Sequence, residues 1–207
     1  ALLREVAYET LGRRDRRARH LAAARYFEAL GDEELAGVLA THYLAAHRAA
    51  TEGPEAEATA AQARIALRAA AERAASLGSP LQALAYLGDA IGIATEPTEV
   101  GQLEERAAWV ADDAGRYGEA ADHADRAAAA FVAAGDETGE LPCRNHQGWF
   151  VASYSYAEGA ALLRDLEPRL AASSDPWIVA RGAFTAANLR LRAGEDAEAL
   201  PFYERAL

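Results

Sequence analysis

Apolar residues recur every three to four positions along nearly the whole chain, the period of a helix with one buried face. The pattern breaks at Gly12, Gly31-Asp32, Gly53-Pro54, Gly78-Ser79-Pro80, Glu96-Pro97, Gly115, Gly135-Asp136, Ser173 to Pro176, and Gly194. The segments between the breaks run to about 15–22 residues, an ordinary length for packed helices. Gly31-Asp32 and Gly135-Asp136 read as a helix C-cap followed by the next N-cap: glycine accepts the left-handed conformation, and aspartate bonds the free amides of a new first turn. Asp175-Pro176 reads as an N-cap with proline at the first helical position. The pattern predicts ten or eleven helices and no strand. The strand-like run Val-Ala-Ser-Tyr-Ser-Tyr (151–156) has helical flanks.

The breaks also repeat. Aligning the tight turn inside each helix pair places Gly78, Gly115, Tyr154 and Gly194 in register, at intervals of 37, 39 and 40 residues. Small residues follow at matching offsets: Ala83-Leu84, Ala120-Ala121, Gly159-Ala160 and Ala199-Leu200. Twelve residues after the turn stand Ala90, Ala127, Leu166 and Ala206, and sixteen after it Ala94, Phe131 and Leu170. Small residues let two helices approach closely, and the larger one fills the gap to the next pair.

Ala114-Gly115, Ala127, Phe131 and Ala134 carry a resemblance to the tetratricopeptide repeat, a helix–turn–helix unit of about 34 residues. The units at Gly78 and Gly194 match in part, and the one at Tyr154 lacks the turn glycine. The resemblance covers roughly residues 57–207 and implies an all-α fold, an α-α superhelix of such repeats. Residues 1–56 are then expected to be N-terminal helices joining a preceding domain. The intervals exceed the family's period, so helices or linkers must be longer.

The opening run Leu2-Leu3-Arg4-Glu5-Val6-Ala7-Tyr8-Glu9-Thr10-Leu11, the arginine cluster, and Arg19-His20-Leu21-Ala22 carry a second resemblance. They resemble the junction between an ATPase module and the helical-repeat tail of large bacterial signalling proteins, in which the ATPase accompanies a class III adenylate cyclase or a DNA-binding regulator. That resemblance implies a repeat tail. It carries over none of those activities, because no Walker A pattern, cyclase motif or helix-turn-helix reader is visible. The absence of methionine and the opening in mid-pattern point the same way, to a segment of a larger protein.

Composition narrows the function. Alanine supplies 55 of the 207 residues; it is the best helix former and a weak filler of space, which favours closely packed helices over a sheet. All 21 basic residues are arginine, as expected of a GC-rich bacterial genome. The net charge of −11 argues against a phosphate-backbone binder, so no nucleic-acid partner is expected. Residues 1–31 stand apart, with seven arginines against four acids. The cluster Arg13-Arg14-Asp15-Arg16-Arg17-Ala18-Arg19 reads first as the solvated start of a helix and second as a contact for a preceding domain. One cysteine excludes an intramolecular disulfide framework and a multi-cysteine zinc site. No apolar run reaches membrane-spanning length and no leader is evident, so a cytoplasmic protein is expected.

Candidate chemistry is sparse. His42 and His47 lie five apart, off the three- or four-residue spacing that puts two ligands on one helical face. Cys143 and His146 share a face but lack an evident orienting group, and Cys143 reads as a small, half-buried helix cysteine. Glu104-Glu105 and Asp112-Asp113 are adjacent acids about 100° apart around a helix, which reads as a solvated face. Phosphate-cradling glycine loops are absent. The expectation is a non-enzymatic segment with no cofactor, no metal and no catalytic residue.

What remains is a binding surface. In the repeat family the first helix of each pair lines the concave face, which the resemblance places at Trp109, Asp112, Asp113 and Arg116, then Val151, Ala152 and Ser155, then Asn188, Leu191, Arg192 and Glu195. The aromatic stretch Trp149-Phe150 with Tyr154 and Tyr156 reads as inter-repeat core or as a binding patch. With Asn145 and Trp149 added, the candidate partner-binding set is Trp109, Asp112, Asp113, Arg116, Asn145, Trp149, Asn188 and Arg192. The family's chaperone-tail binders clamp a terminal carboxylate with Lys, Arg and Asn. Two aspartates here disfavour that and suit a basic protein segment, or one of the parent's own domains such as the ATPase; homo-oligomerisation is a further option. The alternative reading is a small-molecule sensor whose pocket forms where repeats meet near Trp109 and Trp149.

Overall fold

The computed structural model describes residues 10–207. Residues 1–9, which hold most of the opening junction-like run, lie outside the described residues. Among the described residues the chain is helical with no strand. The helices are α1 (Arg13–Leu30), α2 (Ala36–Arg48), α3 (Pro54–Ser76), α4 (Pro80–Ile91), α5 (Pro97–Asp113), α6 (Tyr117–Ala134), α7 (Glu137–Tyr154), α8 (Tyr156–Ala171), α9 (Pro176–Arg192) and α10 (Asp196–Ala206), with a 3-10 turn at Glu33–Leu35 before α2.

The helix ends follow the sequence signals. Gly31 and Gly135 close α1 and α6 with φ of 63° and 70°, and Gly115 turns at 70° between α5 and α6. Asp136 and Asp175 accept backbone amides of Gly139 and Trp177 at 3.0 and 2.8 Å. Proline opens α3, α4, α5 and α9, where its missing N–H leaves no hydrogen bond unmade. From α5 onward only one to four residues join successive helices. The long repeat period therefore resides in the helices, not in the linkers.

Two compact units result, one ending at Ala94 and one running from Thr95 to Leu207. In the first, α1 to α4 pack each on the next around buried alanines such as Ala24, Ala40, Ala63 and Ala83. The arginine cluster opens α1 as a mostly solvated face. Its Arg17 turns inward, donating to Glu55 at 2.7 Å and Thr59 at 3.3 Å on α3.

In the second unit the pairs α5/α6, α7/α8 and α9/α10 stack so that α7 touches both α5 and α9. Phe131 on α6 fills the space between successive pairs. Its ring packs with Ala127, Ala128 and Cys143, and lies against Gly101 on α5 and Gly139 on α7, where a β-carbon would overlap it. Further along, Leu141, Leu166, Leu170 and Ile178 join α7, α8 and α9, and Ala160, Leu163 and Leu189 lie beside Tyr156. These contacts fix the faces that α5, α7 and α9 leave free.

Candidate functional site: an aromatic hollow across α5, α7 and α9

The first helices of the three pairs enclose a hollow of about 180 Å³ in the second unit. Trp109 from α5 forms one wall. Asn145 and His146 come from one turn of α7 and Trp149 from the next, and Arg181, Phe184, Thr185 and Asn188 from α9. Spacings of three and four residues place each group on one helical face.

The walls are held from behind. His146 stands edge-on to Trp109 with centroids 4.6 Å apart, and Phe150, fully buried, meets Trp109 at 5.4 Å and 88°. The Arg181 guanidinium lies 6.0 Å from the Trp109 ring centre, a cation over an aromatic face. Its Nη2 approaches His146 Nε2 at 3.5 Å. Arginine only donates, so Nε2 is the acceptor and the ring proton sits on Nδ1, 4.0 Å from Glu105. Burial, reinforced by the Arg181 charge, pulls the His146 pKa down from 6.5 to about 4.

Asn145 is the most deeply buried polar group here, with 1% of its surface exposed. Its Nδ2 donates to Thr185 Oγ1 at 3.0 Å, and Thr185 passes its own proton to the Arg181 carbonyl at 3.1 Å. The Asn145 Oδ1 is buried and has no hydrogen-bond partner. Asn188, by contrast, is satisfied by the Phe184 carbonyl at 2.8 Å and the Tyr203 hydroxyl at 3.2 Å.

Of the eight residues expected from the sequence, Trp109, Asn145, Trp149 and Asn188 meet around the hollow. Arg192 stands beside it: its guanidinium is 5.7 Å from the Trp149 ring centre, and its Nη2 donates to the Ala152 carbonyl at 3.2 Å. Asp112, Asp113 and Arg116 do not line it. Asp112 is half-buried at the end of α5, its carboxyl pushed up by burial and then by Asp113. Arg116 pairs with Glu119 at 2.5 Å in the turn to α6. Besides His146, which the sequence offered only beside Cys143, the hollow takes Arg181, Phe184 and Thr185, which sequence reasoning missed. Stepping back from Asn188 by three, four and seven residues would have reached all three.

The expected register fails on α7. Val151 and Ala152, placed on the free face by analogy, are buried, and Ser155 is the hinge between α7 and α8. The cause is the close crossing of these helices, where a β-carbon on Gly159 would overlap the Ala152 backbone. The aromatic stretch accordingly divides: Phe150 is core, Trp149 faces the hollow, Tyr154 is exposed, and the Tyr156 hydroxyl donates to the Leu189 carbonyl at 2.8 Å.

The solvated reading of Glu104 is also corrected. Glu104 is buried on α5 and accepts from His123 at 2.5 Å and Arg126 at 3.0 Å on α6. Burial alone would raise its pKa, but these hydrogen bonds outweigh that and hold the carboxyl below its usual value. Cys143 is fully buried, and burial together with the Glu105 charge pushes its thiol pKa well up, the opposite of a reactive cysteine. Among the described residues no three His, Cys, Asp or Glu side chains gather as a metal site, and no helix is long and apolar enough to cross a membrane.

His146 and Glu104 act in different pH windows. His146 binds its proton more readily in the unfolded chain, so its contribution is complete above pH 6.5 and is lost as pH falls toward about 4. Glu104 contributes above the usual carboxylate range and is lost only below it. Urea midpoints should therefore already decline between pH 6.5 and 4.5, with His20, also lowered by burial, adding to the slope, and His146→Gln should flatten that decline in part. An unchanged slope in the variant would assign the effect elsewhere.

No protein-family model and no curated protein matches the chain. Solved structures do. BtubC (BKLC) from P. vanneervenii aligns over 95% of this chain and 90% of its own, with a TM-score of 0.59 at 13% identity. Two crystal structures of a Podosopora anserina kinesin light chain with nearly identical TPR-like repeats align over 95% of both chains. Their TM-scores are 0.59 and 0.58, at 15% and 16% identity. The fold is tetratricopeptide-like. In these TPR-like terms α5, α7 and α9 are the first helices of three consecutive repeats, and α6, α8 and α10 the second. The hollow thus lies among the first helices of these three repeats.

Proposed function

We propose that the chain is a protein-interaction module that seats a polypeptide segment on the α5, α7 and α9 face of its second unit, with one side chain in the hollow. The observation that carries this reading is the hollow's size and walls. At about 180 Å³ it is smaller than the roughly 300 Å³ at which pockets for free small molecules begin, yet it has the tryptophan and arginine lining typical of interface anchor points. That weighs against a metabolite pocket at this hollow, between Trp109 and Trp149.

The charge distribution supports a basic character for the rest of the segment. Residues 95–207 hold 20 acidic residues against 10 arginines, so the field around the hollow attracts cations over a Debye length of about 8 Å. The segment would come from a partner protein or from the parent's own ATPase, as the opening residues' resemblance to a signalling-ATPase junction suggests.

A displayed random-peptide library panned against the full chain tests the reading. Enriched peptides should lose about tenfold or more in affinity on Trp149→Ala and on Arg181→Ala, with the helical circular dichroism unchanged. Asp112→Asn with Asp113→Asn should cost less and should weaken the salt dependence. Failure to enrich any peptide, or enriched peptides indifferent to Trp149→Ala, would overturn it.

A further inference from the structure

We infer that the hollow is a slot for a tyrosine side chain, read through its hydroxyl by Asn145 and Arg181. This rests on the reading of the same face as a peptide-docking surface and adds which side chain it selects.

The argument begins with the unpaired acceptor. A buried carbonyl oxygen without a donor costs free energy, and Asn145 Oδ1 is such an oxygen in a residue that lines the hollow. Its neighbours cannot relieve it: the Thr185 hydroxyl is donated to the Arg181 carbonyl, and Asn188 is engaged with Phe184 and Tyr203. A ligand that donates a hydrogen bond is therefore favoured, and a carboxylate or phosphate, which only accepts, meets a repelling oxygen.

The walls select a ring. Trp109, Trp149 and Phe184 present aromatic surfaces from three helices, and paired rings gain beyond their buried area. Arg181 completes the choice. Its guanidinium is a pure donor, so a ligand group that meets both side chains should accept from Arg181 while donating to Asn145. A phenol oxygen does both. An indole N–H only donates, and phenylalanine does neither. Sites that bond a hydroxyl reject the analogue lacking it, because their own polar groups are left unpaired.

The test uses the intact chain labelled with nitrogen-15 and side-chain surrogates: p-cresol for tyrosine, toluene for phenylalanine, 4-methylphenyl phosphate for phosphotyrosine. The three tryptophans, Trp109, Trp149 and Trp177, give three indole signals, and the exposed Trp177 outside the hollow serves as the internal reference. p-Cresol should shift the Trp109 and Trp149 signals with about tenfold tighter affinity than toluene, and tighter than the phosphate. In Asn145→Leu, similar in size and without the acceptor, the cresol–toluene ratio should fall by about threefold or more, with Arg181 still there to bond the hydroxyl. Because the ratio is measured first in the unaltered chain, a variant that failed to fold would not shield the inference.

Equal affinities for p-cresol and toluene would overturn it while sparing the docking face. That result would mean that a water satisfies Asn145 in the void of about 10 Å³ it shares with Leu163 and Gly182. Tighter binding of the phosphate would equally overturn it, in favour of Arg181 as an anion site. Trp109 and Trp149 signals that no probe moves would refute the slot, and the peptide panning would then decide the docking face separately.

Discussion

Phe131→Ala is expected to destabilise the Thr95–Leu207 unit by about 4 kcal/mol, in the middle of the range for truncating a buried aromatic ring. Phe131 is 4% exposed and sits between successive helix pairs. The cost of such a cavity depends on whether the surroundings can collapse into it. Here they cannot: the ring's neighbours on α5 and α7 are Gly101 and Gly139, which have no side chains to swing inward, and the remaining contacts are alanines and Cys143. Only a rigid-body approach of whole helices could fill the space, and that would disturb the contacts along their length. Phe131→Leu, which keeps most of the volume, should cost no more than about 1.5 kcal/mol. Urea unfolding of the full chain at neutral pH measures both. A loss under 1.5 kcal/mol for the alanine variant would show that the helices do close up.

Gly159→Ala should lower stability by about 3 kcal/mol through overpacking. The added methyl would overlap the backbone nitrogen and α-carbon of Ala152, atoms that cannot rotate aside as a side chain can. The helices must then separate, and the same opening would strip Leu163 from Gly148 on the same interface. Because α7 carries Asn145, His146 and Trp149, its displacement should also weaken peptide binding at the hollow. Gly88→Ala provides the contrast. Gly88 lies inside α4, exposed, with nothing near the site of its missing β-carbon, so alanine there should raise stability by about 0.8 kcal/mol through helix propensity. Opposite signs for one chemical change at two glycines, read by thermal melts, would separate close approach from backbone entropy. Destabilisation of less than 1 kcal/mol at Gly159 would mean that the α7–α8 crossing tolerates adjustment.

Both predictions concern residues whose importance the sequence exposed unevenly. Phe131 stood out as the large residue sixteen positions after a turn glycine, in a stretch otherwise made of alanine and one valine. Gly159 was legible only as one small residue among matching small residues; that it touches backbone, whereas its counterparts at Ala83, Ala120 and Ala199 carry a methyl, needed the three-dimensional crossing.

The same division holds for the candidate site. Helix ends, caps, turn glycines and repeat spacing are local events, set within about four residues by hydrogen bonding and allowed dihedrals, so Gly135-Asp136 and Asp175-Pro176 could be read directly from the chain. The all-helical class followed from periodicity and alanine content for the same reason. Which face of a helix ends up free is not local. One residue of register is about 100° of rotation, so analogy placed Val151 and Ala152 on the surface where the α7–α8 crossing buries them. The 100° angle between adjacent acids likewise suggested a solvated face for Glu104, which His123 and Arg126 reach only once α6 has folded back along α5. Trp109, Asn145, Trp149 and Asn188 were recognisable as candidates from residue type and position. Their convergence with Arg181 across three helices, and the single unpaired oxygen of Asn145 among them, arise from side-chain packing between segments some 36 residues apart, which only the tertiary structure decides.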